Sequence, residues 1–146
     1  MAKVVITGRI PAIAVEQLRA QHDVVSWDEP VAITREELLK RVKGADAIVS
    51  LLTEKVDAEL LDAAGPQLKV VSNVAVGYNN IDVPACKERN VLVTNTPGVL
   101  TEATADIAMA LILMSTRRLA EGERVIRKQE PWQWGMFYML GSGIQG

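Results

Sequence analysis

The chain is poor in cysteine, histidine and aromatic residues, and it has no excess of positive charge. Lys and Arg total 16 against 18 Asp and Glu, which leaves a net charge of -2. A chain without a basic field is not expected to recruit nucleic acid or an anionic membrane. The single cysteine, Cys86, cannot form an internal disulfide bond, and we expect it to be a small buried hydrophobic residue.

Long apolar runs are also missing from the sequence. No stretch between residues 1 and 100 is long and apolar enough to span a bilayer, and the nearest candidate, Ala103 to Met114, is too short and contains Asp106. No apolar leader precedes Lys3. We therefore expect a cytoplasmic protein with no membrane segment, and no residue cluster predicts a metal site.

Short apolar runs alternate with amphipathic stretches up to residue 94, which is typical of a parallel sheet flanked by helices. The apolar runs predict five strands, at Lys3–Thr7, Asp23–Ser26, Asp46–Ser50, Leu68–Asn73 and Val91–Thr94. Four helices are predicted between them, at Pro11–Ala20, from a Thr34 cap to Gly44, at Asp57–Ala63 and at Val83–Arg89. The predicted fold class is α/β, a flavodoxin-like doubly wound parallel sheet over residues 1–100.

Residues 101–146 differ in kind from this domain. Thr101 is predicted to cap one helix that continues to about Gln129, a length of about 43 Å at 1.5 Å per residue. Its first half is apolar on nearly every side, and it is followed by the aromatic tail WQWGMFYML. Such a segment favours contact with a partner or a second domain.

The last six residues, GSGIQG, match the spacing G-x-G-x-x-G of dinucleotide-binding loops. That fingerprint requires a strand before it, a helix after it and an acidic residue about 20 positions further on. Because the sequence given stops at the third glycine, we interpret Gly141–Gly146 as a linker.

Three segments in this order, VSNVAVGYNNID, VTNTPGVLTEATAD and ILMSTRR, resemble the D-isomer-specific 2-hydroxyacid dehydrogenase family, and most of all its glyoxylate/hydroxypyruvate reductase branch. The resemblance covers the whole chain. It implies that residues 1–100 form the substrate-binding domain, and that 101–146 are a crossover helix and dimerisation or linker segment. It also implies that the Rossmann domain is missing from this chain, which would be the N-terminal fragment of a protein about twice as long.

The turn after the fourth strand can aim consecutive backbone N–H groups at an anion such as a carboxylate. By resemblance, Ala75, Val76 and Gly77 would hold the carboxylate of a small 2-oxo acid. Leu52 and Thr53 would line the same pocket. Tyr78 is either part of this wall or a packing aromatic residue.

The resemblance also implies NADH or NADPH as cofactor, bound mainly by the absent domain, with Val76 and Thr104 contributing from this chain. Asp106 is either functional there or a first-turn acid that stabilises the helix. Trp134 matches a family position that reaches into the pocket of a neighbouring subunit, which implies a homodimer through residues 101–146. Packing against the absent domain is the alternative for the tail, and it explains Trp132 better.

No catalytic residue is assigned to this chain, because the Arg, Glu and His of the family's chemistry belong to the second domain. The single histidine, His22, is predicted to lie at the surface. We therefore expect the fragment alone to be inactive. The run Ile48–Leu52 lacks the arginine of the phosphoglycerate branch, which favours glyoxylate or hydroxypyruvate as substrate and leaves a ketogluconate open.

The alternative from another class is a non-catalytic flavodoxin-like binding or dimerisation module. A phospho-receiver would need clustered aspartates at the strand ends, whereas the first strand ends Thr7-Gly8-Arg9. A flavin carrier would need a phosphate loop and aromatic residues near the flavin, and most aromatic residues here are in the tail. A dimerising paralogue that has lost catalysis stays open.

Overall fold

The structure, a computed structural model, describes residues 1–145. The chain forms two compact units, Met1–Gly98 and Val99–Gly146. The first contains five strands, β1 (Lys3–Ile6), β2 (Asp23–Ser26), β3 (Ala47–Ser50), β4 (Val70–Asn73) and β5 (Leu92–Thr94). Its helices are α1 (Ala12–Arg19), α2 (Arg35–Arg41), α3 (Ala58–Ala64) and α4 (Val83–Glu88). These nine elements confirm the sequence prediction, with boundaries that differ by one to three residues.

The five strands form one parallel sheet in the order β2-β1-β3-β4-β5. The inner strand β1 pairs with β2 through Val4 and Val24, and with β3 through Val4 and Ala47. This order is that of flavodoxin-like folds, so the predicted architecture of residues 1–100 is confirmed.

Right-handed crossovers place α1 on one face of this sheet and α2, α3 and α4 on the other. The hydrophobic core lies on the face of the three helices, where Val5, Ile48 and Val71 of the sheet are fully buried. Cys86 of α4 belongs to this core, as the sequence predicted.

The opposite face, which we call the α1 face, is much less covered. A groove of about 780 Å³ lies there, between Ala14 and Leu18 of α1 and the side chains of Val49 and Val70. Leu92 of β5, which pairs with Val70, is 70% exposed. A parallel sheet normally has helices on both faces, so this surface is unusually apolar for one in contact with water.

Side-chain caps explain where three of the helices begin. The backbone N–H of Glu37 donates to Thr34 Oγ1, and the equivalent groups of Leu60 and Ala85 donate to the carboxylates of Asp57 and Asp82. Two other helices begin one residue away from the predicted position. Pro11 is the N-cap of α1 rather than its first residue, and Thr101 is a first residue rather than a cap.

The second unit corrects the prediction of one long helix from Thr101 to about Gln129. Two helices are present, α5 (Thr101–Thr116) and α6 (Leu119–Arg127). Arg118 between them adopts a left-handed conformation with φ 55°, and its guanidinium donates to both carboxylate oxygens of Glu121, at 2.8 and 2.6 Å. This ion pair helps to hold a conformation that interrupts a helix.

The tail folds back onto the break between α5 and α6. The Ser142 N–H donates to the Thr116 carbonyl oxygen at 2.8 Å, which supplies a partner to a helix-end carbonyl group. Any Cβ at Gly141 would clash with that same carbonyl oxygen, so glycine is needed there for a close backbone approach. Trp132 stacks on Tyr138 with ring centroids 6.0 Å apart. The aromatic tail and the residues after it therefore make contacts within their own unit.

Candidate functional site

The candidate site lies at the carboxyl edge of the sheet, where the loops after β3 and β4 leave neighbouring strands. Ligands of doubly wound folds bind at this edge. Ser50 and Asn73 pair across the two strand ends, and the Val74 N–H donates to the Ser50 carbonyl oxygen at 2.8 Å. The structure thus brings together five of the predicted site residues on two adjacent loops, Leu52, Thr53, Ala75, Val76 and Gly77.

The loop after β4 is held through its carbonyl groups. Thr96 N–H donates to the Ala75 carbonyl oxygen at 2.9 Å, and Asn95 Nδ2 donates to that of Val76 at 2.8 Å. Within residues 1–145, the N–H groups of Val76 and Gly77 donate no hydrogen bond to the protein. The carbonyls are thus engaged on the protein side, while these two amides are left available to a ligand.

Gly77 is not a glycine that the backbone requires. The left-handed glycines among the described residues are Gly44, Gly65 and Gly98, so the φ angle at position 77 does not demand a glycine. A Cβ built on Gly77 would meet no atom within 4 Å. The missing side chain therefore leaves open space beside the loop rather than relieving strain.

In the loop after β3, the apolar and hydroxyl side chains are exposed, whereas the carboxylate is buried. Leu52 is 58% exposed and Thr53 is also exposed, whereas Glu54 is only 5% exposed. Glu54 Oε2 accepts hydrogen bonds from Thr7 Oγ1 at 2.5 Å and from the Leu51 N–H at 2.9 Å, and its Oε1 accepts one from Thr53. This carboxylate ties the loop to the end of β1.

A second, partly buried link joins the two loops. The Asn80 side chain donates to the carbonyl oxygens of Leu51 and Glu54, each at 3.0 Å, and Asn73 Nδ2 donates to the Gly77 carbonyl oxygen at 2.9 Å. Sequence reasoning missed Glu54, Asn73 and Asn80. The available signal was Asn73, a polar residue at the end of a strand that begins with two valines.

The other predicted site residues, Thr104 and Trp134, lie in the second unit. Thr104 is exposed in the first turn of α5, and within the described chain its hydroxyl makes no hydrogen bond. Trp134 is 89% exposed. Asp106 is exposed on the same helix as Thr104. The last glycine of the G-x-G-x-x-G sequence, Gly146, lies outside the described residues, and residues 141–145 form no helix or strand.

His22 differs from its prediction as a surface residue. It is half-buried at the amino end of β2, and its Nδ1 is buried with no hydrogen-bond partner in the described chain. The amino end of a strand is opposite the carboxyl edge, so His22 does not belong to the candidate site. Leu18 explains part of its burial, because both residues line the groove of the α1 face.

Two further features of residues 1–145 bear on function. No helix in this range is both long and apolar enough to cross a membrane. No group of three His, Cys, Asp or Glu side chains in the same range is arranged to hold a metal ion.

Fold and site together define an α/β domain that presents backbone amides at the carboxyl edge of a parallel sheet. A family model described as the D-isomer specific 2-hydroxyacid dehydrogenase, catalytic domain, matches residues 4–138. The chain therefore belongs to the D-isomer specific 2-hydroxyacid dehydrogenase family, which confirms the resemblance seen in the sequence.

Known relatives agree with this assignment. The chain is 44% identical over 149 residues to a glyoxylate reductase of Thermococcus onnurineus, covering 99% of this chain and 44% of the relative. It therefore spans less than half the length of that protein. A solved structure from Thermus thermophilus superposes with a TM-score of 0.90 at 38% identity, covering 99% of this chain and 46% of that one.

A third comparison includes bound ligands. An NADPH-dependent glyoxylate/hydroxypyruvate reductase from Sinorhizobium meliloti, in complex with NADP and malonate, superposes with a TM-score of 0.67 at 30% identity. The match covers 87% of this chain and 38% of that protein. Family neighbours thus include proteins that bind a nicotinamide cofactor.

Proposed function

We propose that this chain is the substrate-binding part of an oxidoreductase that reduces a small 2-oxo acid to the 2-hydroxy acid with NADH or NADPH. Glyoxylate and hydroxypyruvate are the proposed substrates. Membership of the 2-hydroxyacid dehydrogenase family and the glyoxylate reductase names of relatives support this over a non-catalytic module.

One observation carries the proposal at the level of the site, namely the pair of amides at Val76 and Gly77 that have no acceptor in the described chain. Two neighbouring N–H groups in a loop can form a small concave anion site, in which a carboxylate accepts from both. Open space at the missing Cβ of Gly77 allows the anion to approach the backbone closely. These amides and Ala75 would orient the substrate carboxylate.

Leu52 and Thr53 would form the wall beside the substrate. The exposed Leu52 side chain offers an apolar contact and no charge, which suits a substrate whose remaining part is uncharged. The Thr53 hydroxyl donates to Glu54, so its oxygen is left as an acceptor for a substrate hydroxyl group. These features fit glyoxylate or hydroxypyruvate better than a phosphorylated acid.

When bound, the nicotinamide cofactor supplies the hydride. The residues of this chain proposed to contact it are Val76 and Thr104. The exposed Thr104 hydroxyl has no partner in the described chain, so it is free to donate or accept a hydrogen bond. The available groups therefore fit a secondary role in cofactor binding, with the main site on the part of the protein that this chain does not contain.

The parent protein is proposed to be about twice as long, since the Thermococcus onnurineus relative is matched over only 44% of its length. Reduction of a 2-oxo acid needs a cation to orient the carboxylate and an acid to protonate the alkoxide. We place both in the remaining part, together with the Rossmann domain. The chain of 146 residues alone is then inactive in the cytoplasm where we expect the parent enzyme to work.

A homodimer through residues 101–146 completes the proposal. Six large apolar side chains of α5 are between 39% and 62% exposed, Ile107, Met109, Leu111, Ile112, Leu113 and Met114. Trp134 is almost fully exposed, and an exposed tryptophan is typical of an interface residue. We propose that Trp134 contributes to the substrate pocket of the neighbouring subunit.

Carboxylate binding is tested by NMR titration of the ¹⁵N-labelled chain with glyoxylate. The amide signals of Val76 and Gly77 are expected to shift most, because they donate to the added carboxylate. Glycolaldehyde, which has no carboxylate, is the control and should leave them in place. Equal shifts with both compounds, or none with glyoxylate, would contradict the proposed site.

Activity is tested by fusing the chain to the part of the Thermococcus onnurineus glyoxylate reductase that follows its matched segment. The fusion should oxidise NADH or NADPH when glyoxylate is added, and the chain alone should not. A Gly77→Ala fusion should show a raised KM for glyoxylate because its methyl group enters the substrate space. Turnover by the isolated chain would refute the proposal that the catalytic groups lie outside it.

A further inference from the structure

Glu54 is a buried carboxylate that has no cation within 4 Å among residues 1–145. Burial of such a group is unfavourable unless hydrogen bonds replace its water. Three donors do so here, the hydroxyl groups of Thr7 and Thr53 and the backbone N–H of Leu51. Because two of these donors belong to the loop after β3, Glu54 fixes the path of the segment that carries Leu52.

Asn80 continues this network into the second loop. Both hydrogens of its Nδ2 are used on carbonyl oxygens of the loop after β3, those of Leu51 and Glu54. Its Oδ1 accepts from Asn73 Nδ2 at 3.2 Å, and that same nitrogen donates to the Gly77 carbonyl oxygen. One side-chain amide therefore links the loop that bears Leu52 to the loop that bears the free amides.

The β4 loop is oriented by the same arrangement. The Gly77 carbonyl is held by Asn73, whose Oδ1 accepts from Ser50 Oγ at 2.9 Å. Asn73 and Ser50 are both fully or almost fully buried. The N–H groups of Val76 and Gly77 lie in the preceding peptides, whose carbonyl groups accept from Thr96 and Asn95. Asn73 holds the next peptide at its carbonyl group, so it fixes the far end of the same loop, and a fixed loop loses less entropy on binding an anion.

We infer that Asn80 and Glu54 are positioning residues of the 2-oxo acid site. They do not contact the substrate themselves. They set the distance between the wall at Leu52 and the carboxylate-binding amides at Val76 and Gly77. The inference depends on the proposed function, because it assigns to these residues the orientation of that same site.

Asn80→Asp is the decisive variant, since it keeps the shape of the side chain and replaces its two donors with an acceptor. The resulting oxygen would face the carbonyl oxygens of Leu51 and Glu54, so the two loops should separate. Asn79→Asp is the matched control, because it makes the same change at the adjacent, exposed position. Both variants are titrated with glyoxylate by NMR, well below the thermal midpoint.

The Kd of Asn80→Asp for glyoxylate is expected to rise about tenfold or more, and that of Asn79→Asp to stay within about twofold of the parent. Hydrogen exchange should accelerate in residues 51–54 and 74–77 of Asn80→Asp only. If Asn80→Asp does not fold, Asn80→Ser and Glu54→Gln take its place, and each is expected to weaken binding in the same direction.

The outcomes separate the two proposals. A parent chain that binds glyoxylate together with a folded Asn80→Asp of unchanged Kd would overturn the positioning role and leave the substrate site standing. A lowered thermal midpoint with unchanged Kd would show a purely structural role and would overturn it as well. A parent chain that shows no binding at Val76 and Gly77 would overturn the proposed site, and the positioning role with it.

Discussion

At the scale of single residues, two positions of the first unit differ in whether the backbone requires a glycine there. Gly65 ends α3 with φ 100°, where a side chain is strained, and an added Cβ would lie 2.8 Å from Gln67 Oε1. Gly77 has neither a left-handed φ nor a close neighbour. The first glycine is therefore explained by folding, and the backbone gives no reason for the second.

This contrast predicts different effects of the same substitution. Gly65→Ala should lower the free energy of unfolding by about 1–2 kcal/mol, and Gly77→Ala should leave it within about 0.5 kcal/mol of the parent. Urea denaturation followed by circular dichroism measures both. A large loss of stability in Gly77→Ala would mean that this glycine has a structural role, and the space beside it would then not indicate a ligand.

Cys86 gives a second prediction at this scale. Burial raises the pKa of its thiol, and the negative charge of Asp82 raises it further, so the unreactive protonated form prevails near neutral pH. A thiol reagent such as DTNB should therefore label the folded chain very slowly and the urea-unfolded chain rapidly. Rapid labelling of the folded chain would show that α4 opens readily.

Polar contacts at the site are the residue-scale feature that the sequence did not reveal. Glu54 and Asn80 are ordinary polar residues in loop segments, and only the meeting of three strand ends buries Glu54 and half-buries Asn80. The prediction that His22 lies at the surface is wrong for a related reason, because a residue between a helix and a strand is usually exposed. The exposed residues of the candidate site could be named from the sequence because the family motif contains them, and their roles stay predictions.

At the scale of secondary-structure elements, an ion-pair cluster ties the start of α2 to the start of α3. The Arg35 guanidinium pairs with Asp57, donates to Glu59 at 2.7 Å and donates to the Lys55 carbonyl oxygen at 2.8 Å. Partial burial alone would raise the pKa of Asp57, but hydrogen bonds from Arg35 and the Leu60 amide outweigh it. The pKa of this carboxyl therefore lies below its ordinary value of 3.8.

A lowered pKa in the folded state makes the contribution of Asp57 to stability dependent on pH. This contribution is fully present above the unfolded pKa near 3.8 and is lost as the pH falls through the lower folded value. The difference in unfolding free energy between the parent and Asp57→Asn should therefore shrink below about pH 4. Asparagine keeps the helix cap, so the charge is the main change.

Denaturation over a range of acidic pH values measures this difference. The control is Asp106→Asn, since Asp106 is exposed and forms no ion pair in the described part of the chain. That variant should differ little from the parent throughout. A difference for Asp57→Asn that does not change with pH would show that the pair with Arg35 contributes nothing to stability.

Helices and strands of the first unit were predictable because apolar spacing and caps specify them locally. The break between α5 and α6 was not, because every residue from 101 to 127 other than Gly122 tolerates a helix and the apolar pattern continues. The local contribution, the pair of Arg118 with Glu121, is three residues apart, and such pairs also occur within unbroken helices. The other contribution is distant in sequence, since the Ser142 amide reaches the Thr116 carbonyl.

At the scale of the whole molecule, the α1 face predicts how the isolated chain behaves in solution. Its apolar groove and the exposed Leu92 are next to strands whose other face is fully covered. We expect the chain to bind the dye ANS and to associate as its concentration rises. Light scattering coupled to size exclusion measures the association.

Leu92→Lys should weaken both effects without lowering the thermal midpoint, because this side chain is already largely exposed on an edge strand. Val31→Lys is the control, since Val31 is 64% exposed in the loop before α2. If both variants behave alike, the association arises elsewhere, and the apolar side chains of α5 become the first surface to examine. A chain that stays monomeric and does not bind ANS would contradict the expectation.

The inner position of β1 has a consequence for synthesis on the ribosome. Of the five strands β1 is translated first, and it pairs on one side with β2 and on the other with β3, whose last residue is Ser50. A hairpin-like nucleus of neighbouring segments is impossible in an all-parallel sheet, so β1 can be paired on both sides only after β3 has been translated. One edge of β1, along Val4, Val5 and Ile6, therefore stays unpaired for the time needed to add more than forty residues, a window in which a chaperone would bind it.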